Sequence, residues 1–304
     1  MNTTTESSSS SPPLMFFLGE LSGETKHAFF NPMNKALVQY QISELEPQLE
    51  CLSTRYGWLL LLSRETSSLF FFNPVSHKKI QLPYRKSIFN AAAFSAPPTS
   101  PDCTVYAVVM PTFRFKLRVD TLRVGQEKRK WVRHSIRPSE IECSTGVQAV
   151  CCNGKLYLVD MHGRVVVFDG EDNSWTRIPG KCFERIWDSY FVEFNGDVYA
   201  GKKGGYGAVE KVFKLKIENG VSEWVEVEDV GGVSLFLGPH GSCALPVKGM
   251  ENKVFVAGDG AICKFGVYNF SGGEVNEDEK FDHPAYKGWY VPVWINEQQP
   301  SNLK

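Results

Sequence analysis

The chain has 304 residues, 42% of them hydrophobic and 22% charged, and a formal net charge of −1, a composition that supports a real core. A near-neutral balance argues against a nucleic-acid binder working through overall positive charge, because phosphate binding is largely electrostatic. No stretch approaches the ~20 apolar residues of a membrane-spanning helix, and runs such as Trp58 to Leu62 are strand-sized.

The first thirteen residues are Ser/Thr-rich with one charge, Glu6. They lack the basic and apolar regions of a secretory signal and the arginines of a transit peptide. They are expected to form a disordered tail (1–13) on a cytoplasmic or nuclear protein. Short apolar runs separated by turn residues then recur along the chain without a helical period. Met15–Leu18, Phe29–Phe30 and Leu37–Tyr40 come first, with a turn at Asn31-Pro32. Trp58–Leu62, Leu69–Phe72 and Ile80–Leu82 repeat the pattern around Asn73-Pro74, and Val105–Met110, Thr121–Val124 and Trp131–Ser135 repeat it again. The unit is clearest from Gly146 to Pro179: strands at Val147–Cys152, Lys155–Asp160, Arg164–Phe168 and Trp175–Ile178, the first two joined by Asn153-Gly154. Asn-Gly supplies the positive φ angles that a two-residue hairpin turn demands. Phe191–Phe194, Asp197–Ala200, Val212–Ile217 and Trp224–Val227 form a further set, and Val254–Ala257 with Phe265–Phe270 begin the last.

Aligned on the turn after the third strand, the repeats fall at Asn31, Asn73, Gly125, Asp169, Glu218 and Asn269, at intervals of 42, 52, 44, 49 and 51 residues. Such spacing belongs to propeller repeats. Trp131, Trp175 and Trp224 each follow the aligned turn by six residues. A tryptophan fixed there can cover the seam between neighbouring sheets. The expected fold is all-β: a kelch-like β-propeller over 14–296, of about six four-stranded blades with seven also open, followed by a polar C-terminal tail (297–304). Trp289–Ile295 is a spare strand. Paired into the first blade it closes the ring between the N- and C-terminal strands and removes two exposed edges; the alternative makes it the outer strand of the sixth blade in place of Glu279–Phe281.

Chemical signatures are sparse. Cys103, Cys151, Cys243 and Cys263 lie in apolar strand patterns and read as buried free thiols. Adjacent Cys151 and Cys152 point to opposite faces of a strand and cannot share a metal. The run Gly201 to Gly207 fits neither phosphate-loop nor dinucleotide patterns, Gly241-Ser242-Cys243 lacks a nucleophile elbow, and Asp169 to Asn173 lacks an EF-hand loop. No enzyme, metal or cofactor is expected.

Tyr56-Gly57-Trp58-Leu59-Leu60-Leu61, Phe71-Phe72-Asn73-Pro74, Ile80-Gln81-Leu82-Pro83, Leu237-Gly238-Pro239-His240 with Ser242, Asn252-Lys253-Val254-Phe255 and Trp289–Trp294 resemble the F-box-associated, KIB-type kelch-like propeller of plant F-box/kelch-repeat proteins. The resemblance implies a substrate-recognition module of an SCF-type ubiquitin ligase. In that family a helical F-box precedes the propeller and docks on a Skp1-like adaptor; here only thirteen polar residues precede the first strand, so adaptor binding is expected only if an F-box is encoded upstream. The expected function is non-catalytic protein binding by a monomer, with no nucleic-acid or membrane partner. The partner-binding face would carry the second-to-third and fourth-to-first strand connections, which include Arg64, Glu65, His162, Arg164, Lys202, Lys203, Tyr206 and Asp259. The alternatives are a small-ligand or enzymatic site in the central channel, and a truncated paralogue with little function.

Overall fold

The computed structural model describes residues 14–295 except 22–23, 32–33, 35, 41, 46–48, 64, 86–88, 90, 110–116, 136–146, 161, 181–188, 204–208, 258–264 and 271–289. Within them, 24 strands form six four-stranded sheets of a β-propeller. Sheet I holds β1 (Leu14–Leu21), β2 (Glu24–Asn31) and β3 (Ala36–Tyr40). Sheet II holds β4 (Leu49–Arg55), β5 (Trp58–Ser63), β6 (Ser68–Asn73) and β7 (Lys78–Gln81). Sheet III runs through β8 (Ala91–Phe94), β9 (Thr104–Val109), β10 (Arg118–Arg123) and β11 (Val132–Ser135). Sheet IV runs through β12 (Gln148–Cys152), β13 (Lys155–Val159), β14 (Val165–Asp169) and β15 (Ser174–Ile178). Sheet V contains β16 (Ser189–Phe194), β17 (Asp197–Lys203), β18 (Val209–Glu218) and β19 (Val221–Val227). Sheet VI contains β20 (Ser234–Leu237), β21 (Cys243–Leu245), β22 (Lys253–Ala257) and β23 (Phe265–Asn269). The last strand, β24 (Tyr290–Ile295), completes sheet I by pairing antiparallel with β1, from Leu14↔Ile295 to Gly19↔Tyr290. This is the closure expected of the spare C-terminal strand.

Sheets II to V are simple meanders whose first strand is innermost, held at the hairpins by local chemistry. Asn153-Gly154 and Asn195-Gly196 have φ of 49° and 74°, and 50° and 79°, and Tyr56-Gly57 makes the same turn at 54° and 76°, the type I′ geometry whose twist matches the strands. In the Asn73-Pro74 turn the Asn73 side-chain oxygen accepts hydrogen bonds from the amides of Val75 (3.1 Å) and Ser76 (2.8 Å).

Sheet VI departs from the repeat. Its spatial order is β21-β20-β22-β23, and β20 runs parallel to β22. The chain therefore enters at the second position, turns inward through β21 and crosses back to the third. Val254–Ala257 and Phe265–Phe270 do not begin this unit; they are its outer half. Asn269 ends the outermost strand rather than the third, so the sixth aligned turn is out of register with the other five. The reason is that β20 and β21 span only four and three residues, too short to stand out as a hydrophobic period. Ala91–Phe94, the inner strand of sheet III, escaped the pattern for the same reason. Glu279–Phe281 and both tails, 1–13 and 297–304, lie outside the described residues.

The core is divided into six apolar clusters, each shared by two consecutive sheets. Leu60, Phe71, Phe94 and Val105 fill the seam between II and III, and Val119, Leu156 and Phe168 that between III and IV. Phe236, Phe255, Ala28 and Trp294 join sheet VI to sheet I. Five of the sheets bury their strands by antiparallel pairing alone. Two of the three registered tryptophans act as seam clasps. Trp131 Nε1 donates to Pro83 O of sheet II's exit (2.9 Å), and Trp224 Nε1 donates to Gly163 O in sheet IV (3.0 Å). Trp175 packs on the cluster between sheets III and IV, its ring centroid 4.6 Å from that of Phe168, but stays only half-buried.

This difference predicts an asymmetric response to Trp→Phe substitution. Trp224→Phe leaves the Gly163 carbonyl without its donor and should cost about 1 kcal/mol, whereas Trp175→Phe should stay within about 0.5 kcal/mol. Urea unfolding followed by circular dichroism measures both, and equal losses would contradict the clasp.

Candidate functional site

The inner strands enclose a cavity of about 230 Å³ on the propeller axis, lined by residues 50–55 of β4, 91–94 of β8, 147–151 around β12, 191–193 of β16 and the 238–242 loop. Its apolar wall comes from alternate residues of the inner strands, since successive side chains of a strand face opposite ways. One end is crossed by an ion pair. Arg55, the last residue of β4, reaches Glu193 of β16, donates through Nη1 to Cys151 O (2.7 Å), and lies 4.7 Å from the Tyr56 ring centroid. Glu193 Oε1 also accepts from the Gly196 amide at 3.0 Å, so both its oxygens are engaged. Gln148 Nε2 donates to Ser189 O at 2.7 Å. These groups tie sheets II, IV and V together across the axis.

The 238–242 loop is the second tie. Trp294 Nε1 donates to Leu237 O (2.8 Å), the Thr54 amide donates to His240 O (2.8 Å), and Thr54 Oγ1 donates to Trp294 O (3.3 Å). Sheets VI, I and II meet there. A Cβ on Gly241 would sit 2.5 Å from Thr54 O, so only glycine allows this approach. The motif Leu237-Gly238-Pro239-His240 with Ser242 is thus a structural staple.

Burial disfavours the thiolate of the described inner cysteines, two of which, Cys51 and Cys151, line the channel. Burial pushes Cys103 and Cys151 up to about 12 and Cys152 up to about 11, and raises Cys51 as well. These four are free and buried, as expected for Cys103 and Cys151; Cys243 is free and partly buried; Cys263 lies outside the described residues. Among the described residues no three His, Cys, Asp or Glu side chains gather as a metal site.

The described residues singled out for partner binding border second-to-third connections, at the opposite end of the propeller from the type I′ turns. Asp259, expected there too, instead follows β22, which is the third strand of sheet VI because that sheet is entered at its second position. Glu65 is exposed in the β5–β6 turn, and His162 is exposed in the β13–β14 turn. Arg164 is held within that turn: its Nε lies 2.6 Å from Asp160 Oδ2, and its amide and that of His162 donate to Asp160 Oδ1. Lys202 pairs with Glu210 at 3.4 Å beside a β-bulge at Lys202/Lys203. Arg64, Tyr206, Asp259 and the Lys203 side chain lie outside the described residues. Arg55, Glu193 and Gln148 were missed by sequence reasoning; their one visible signal is a charged or amide side chain on an apolar inner strand.

With this geometry in place, comparison with known proteins is decisive for the family. The sequence model of the KIB1-4 beta-propeller matches residues 29–271. The chain belongs to the KIB1-4 β-propeller family. F-box/kelch-repeat protein At3g18720 of Arabidopsis thaliana is 26% identical over 227 residues, 70% of this chain and 58% of that protein. F-box protein At4g00893 of the same plant is 29% identical over 175 residues, 57% of this chain and 43% of that protein. This KIB1-4 propeller thus spans about half the length of the curated relatives it matches. Among solved structures, TolB from Acinetobacter baumannii matches with a TM-score of 0.54 at 12% identity, over 94% of this chain and 67% of that one. That likeness shows the fold alone.

Two outcomes follow for the channel. Arg55→Met strands Glu193 beside a low-dielectric wall; with both partners still partly exposed (25% and 17%), the loss should be about 2 kcal/mol, below that of a fully buried pair. The double variant Arg55→Met/Glu193→Gln should lose less than the sum, with a coupling of about 1 kcal/mol in denaturant unfolding. Alkylation of the native protein at neutral pH, mapped by mass spectrometry, should leave Cys51, Cys103 and Cys151 unmodified, because the thiolate is the reacting form.

Proposed function

We propose that the chain is a non-catalytic protein-interaction module, a monomeric six-bladed propeller over residues 14–296, acting in the cytoplasm or nucleus. The observation that carries this reading is the family match across residues 29–271. The six sheets and six shared apolar clusters support the blade count. The relatives are F-box and F-box/kelch-repeat proteins, which supports recognition of targets for ubiquitylation. Assembly with a Skp1-like adaptor would need a helical F-box encoded ahead of the propeller.

The partner is assigned to the end carrying the second-to-third and fourth-to-first connections. Loops on a rigid strand scaffold are where binding residues concentrate, and Arg64, Glu65, His162, Arg164, Lys202, Lys203 and Tyr206 are proposed for that face; Asp259, between the third and fourth strands of sheet VI, is not. The axial cavity favours a second reading, a small polar ligand in the channel, but the mutual pairing of Arg55 and Glu193 supports a structural role there. The reading includes no membrane partner: among the described residues no helix is long and apolar enough to cross a membrane.

Affinity capture of the tagged full chain from plant cells, compared with Glu65→Lys/Lys202→Glu, should recover reproducible proteins whose yield falls severalfold in the variant. Absence of reproducible partners, or yields unchanged by the charge reversals, would overturn the assignment.

A further inference from the structure

Asp120 in the third strand of sheet III is fully buried and faces three guanidinium groups. Arg85, on the connection from sheet II, donates to Oδ2 from both Nε (3.0 Å) and Nη2 (2.7 Å). The other oxygen, Oδ1, lies 3.3 Å from Arg118 Nε and 3.6 Å from Arg133 Nε. One carboxylate thus holds Arg85 by two hydrogen bonds and lies within ion-pair distance of Arg118 and Arg133. Burial lowers the Arg118 pKa, Asp120 opposes that, and Arg133 and Arg85 add to it, as crowded like charges do. Arg85 and Arg118 remain about one-fifth exposed, at 22% and 20%, and Arg133 is 56% exposed, so the cluster opens to solvent.

The surrounding sequence is biased in the same sense. Residues 82–147, sheet III with both its connections, contain eleven Lys/Arg and five Asp/Glu, a net of +6; the whole chain stands at −1, which leaves −7 on the remainder. Arg85 precedes the first strand, Arg118 opens the third and Arg133 lies on the fourth. All three therefore belong to the propeller end that carries the second-to-third and fourth-to-first connections.

We propose that this arginine cluster is a docking site for an acidic segment of a partner protein, its carboxylate or phosphate side chains completing the ligation that Asp120 begins. Guanidinium groups fixed by a buried carboxylate are preorganised for planar oxyanions. A nucleic acid is disfavoured because the patch covers one sheet of six and the remainder of the chain is acidic, whereas a duplex or long single strand presents charge along a track. The inference rests on the protein-interaction reading, and it names the chemistry that reading leaves open.

The test uses the full chain and fluorescence anisotropy with short labelled peptides: one with a glutamate run, one with phosphoserines, an uncharged serine control, and a single-stranded RNA of equal charge. The acidic peptides should bind and the control should not, with affinity falling as salt rises. Comparing the glutamate and phosphoserine arms identifies the oxyanion. Arg133→Gln should weaken binding about fivefold and Arg118→Gln/Arg133→Gln more than about tenfold. Lys216→Glu, exposed near the third-to-fourth hairpin of sheet V and outside the proposed binding face, should leave the affinity unchanged. Should the double variant unfold, the exposed Arg133→Gln alone still decides. Absence of peptide binding at low salt, affinities unaffected by Arg133→Gln, or a preference for the RNA would each overturn the proposal. Partners captured from cells but indifferent to Arg133→Gln would overturn it too, while leaving the broader interaction reading intact.

Discussion

Everything in this molecule depends on each sheet finding a neighbour on both sides. A four-stranded sheet with strands of three to ten residues cannot bury two apolar faces by itself. Six clusters answer that need seam by seam, and the seam between sheets VI and I is completed by a strand from the far end of the chain. The β24–β1 pairing both supplies the missing inner strand of sheet I and brings Trp294 against Phe236, with ring centroids 5.2 Å apart. Without it, two sheet edges and an apolar face would meet water.

The same closure explains why the polar residues on the axis read as structural. Inner strands from different sheets converge there, and their ends carry groups whose desolvation must be offset by pairing. Arg55, Glu193 and the Cys151 carbonyl satisfy one another across the channel, while the staple at Leu237 to Ser242 binds three sheets through backbone carbonyls. Sheet VI can reverse its inner pair because β20 still offers β22 a full edge, and because Gly241 lets its loop lie against Thr54. The stretch Leu237-Gly238-Pro239-His240 with Ser242, one of the motifs that carry the family resemblance, is therefore among those that hold the ring.

The opposite end has a different character. Its charges are anchored locally: Asp160 fixes Arg164 within one turn, and Asp120 fixes Arg85, Arg118 and Arg133 from below. A buried carboxylate beneath surface cations lowers the entropy they would lose on meeting a partner. On the proposed reading, scaffold and recognition are separated between the two ends of one propeller, the arrangement that lets loops vary over a fixed core.

The sequence by itself determined the repeat and the all-β class, because period-two hydrophobicity, Asn-Gly turns and spaced tryptophans are local signals; its motifs carried the resemblance to the family, and it left the C-terminal strand between two blades. It also pointed to the seam role that Trp131 and Trp224 fulfil. Only the tertiary structure decided that Trp175 stays half-buried on its seam, that sheet VI enters at its second position, and that Asn269 ends an outer strand. It alone brought Arg55 to Glu193 and gathered three arginines about Asp120. Arg55 and Glu193 are separated by 138 residues, and Arg85 reaches Asp120 of sheet III from the connection that leaves sheet II. Nothing in a local pattern encodes such encounters; they follow from the ring, which sets which strand ends face each other.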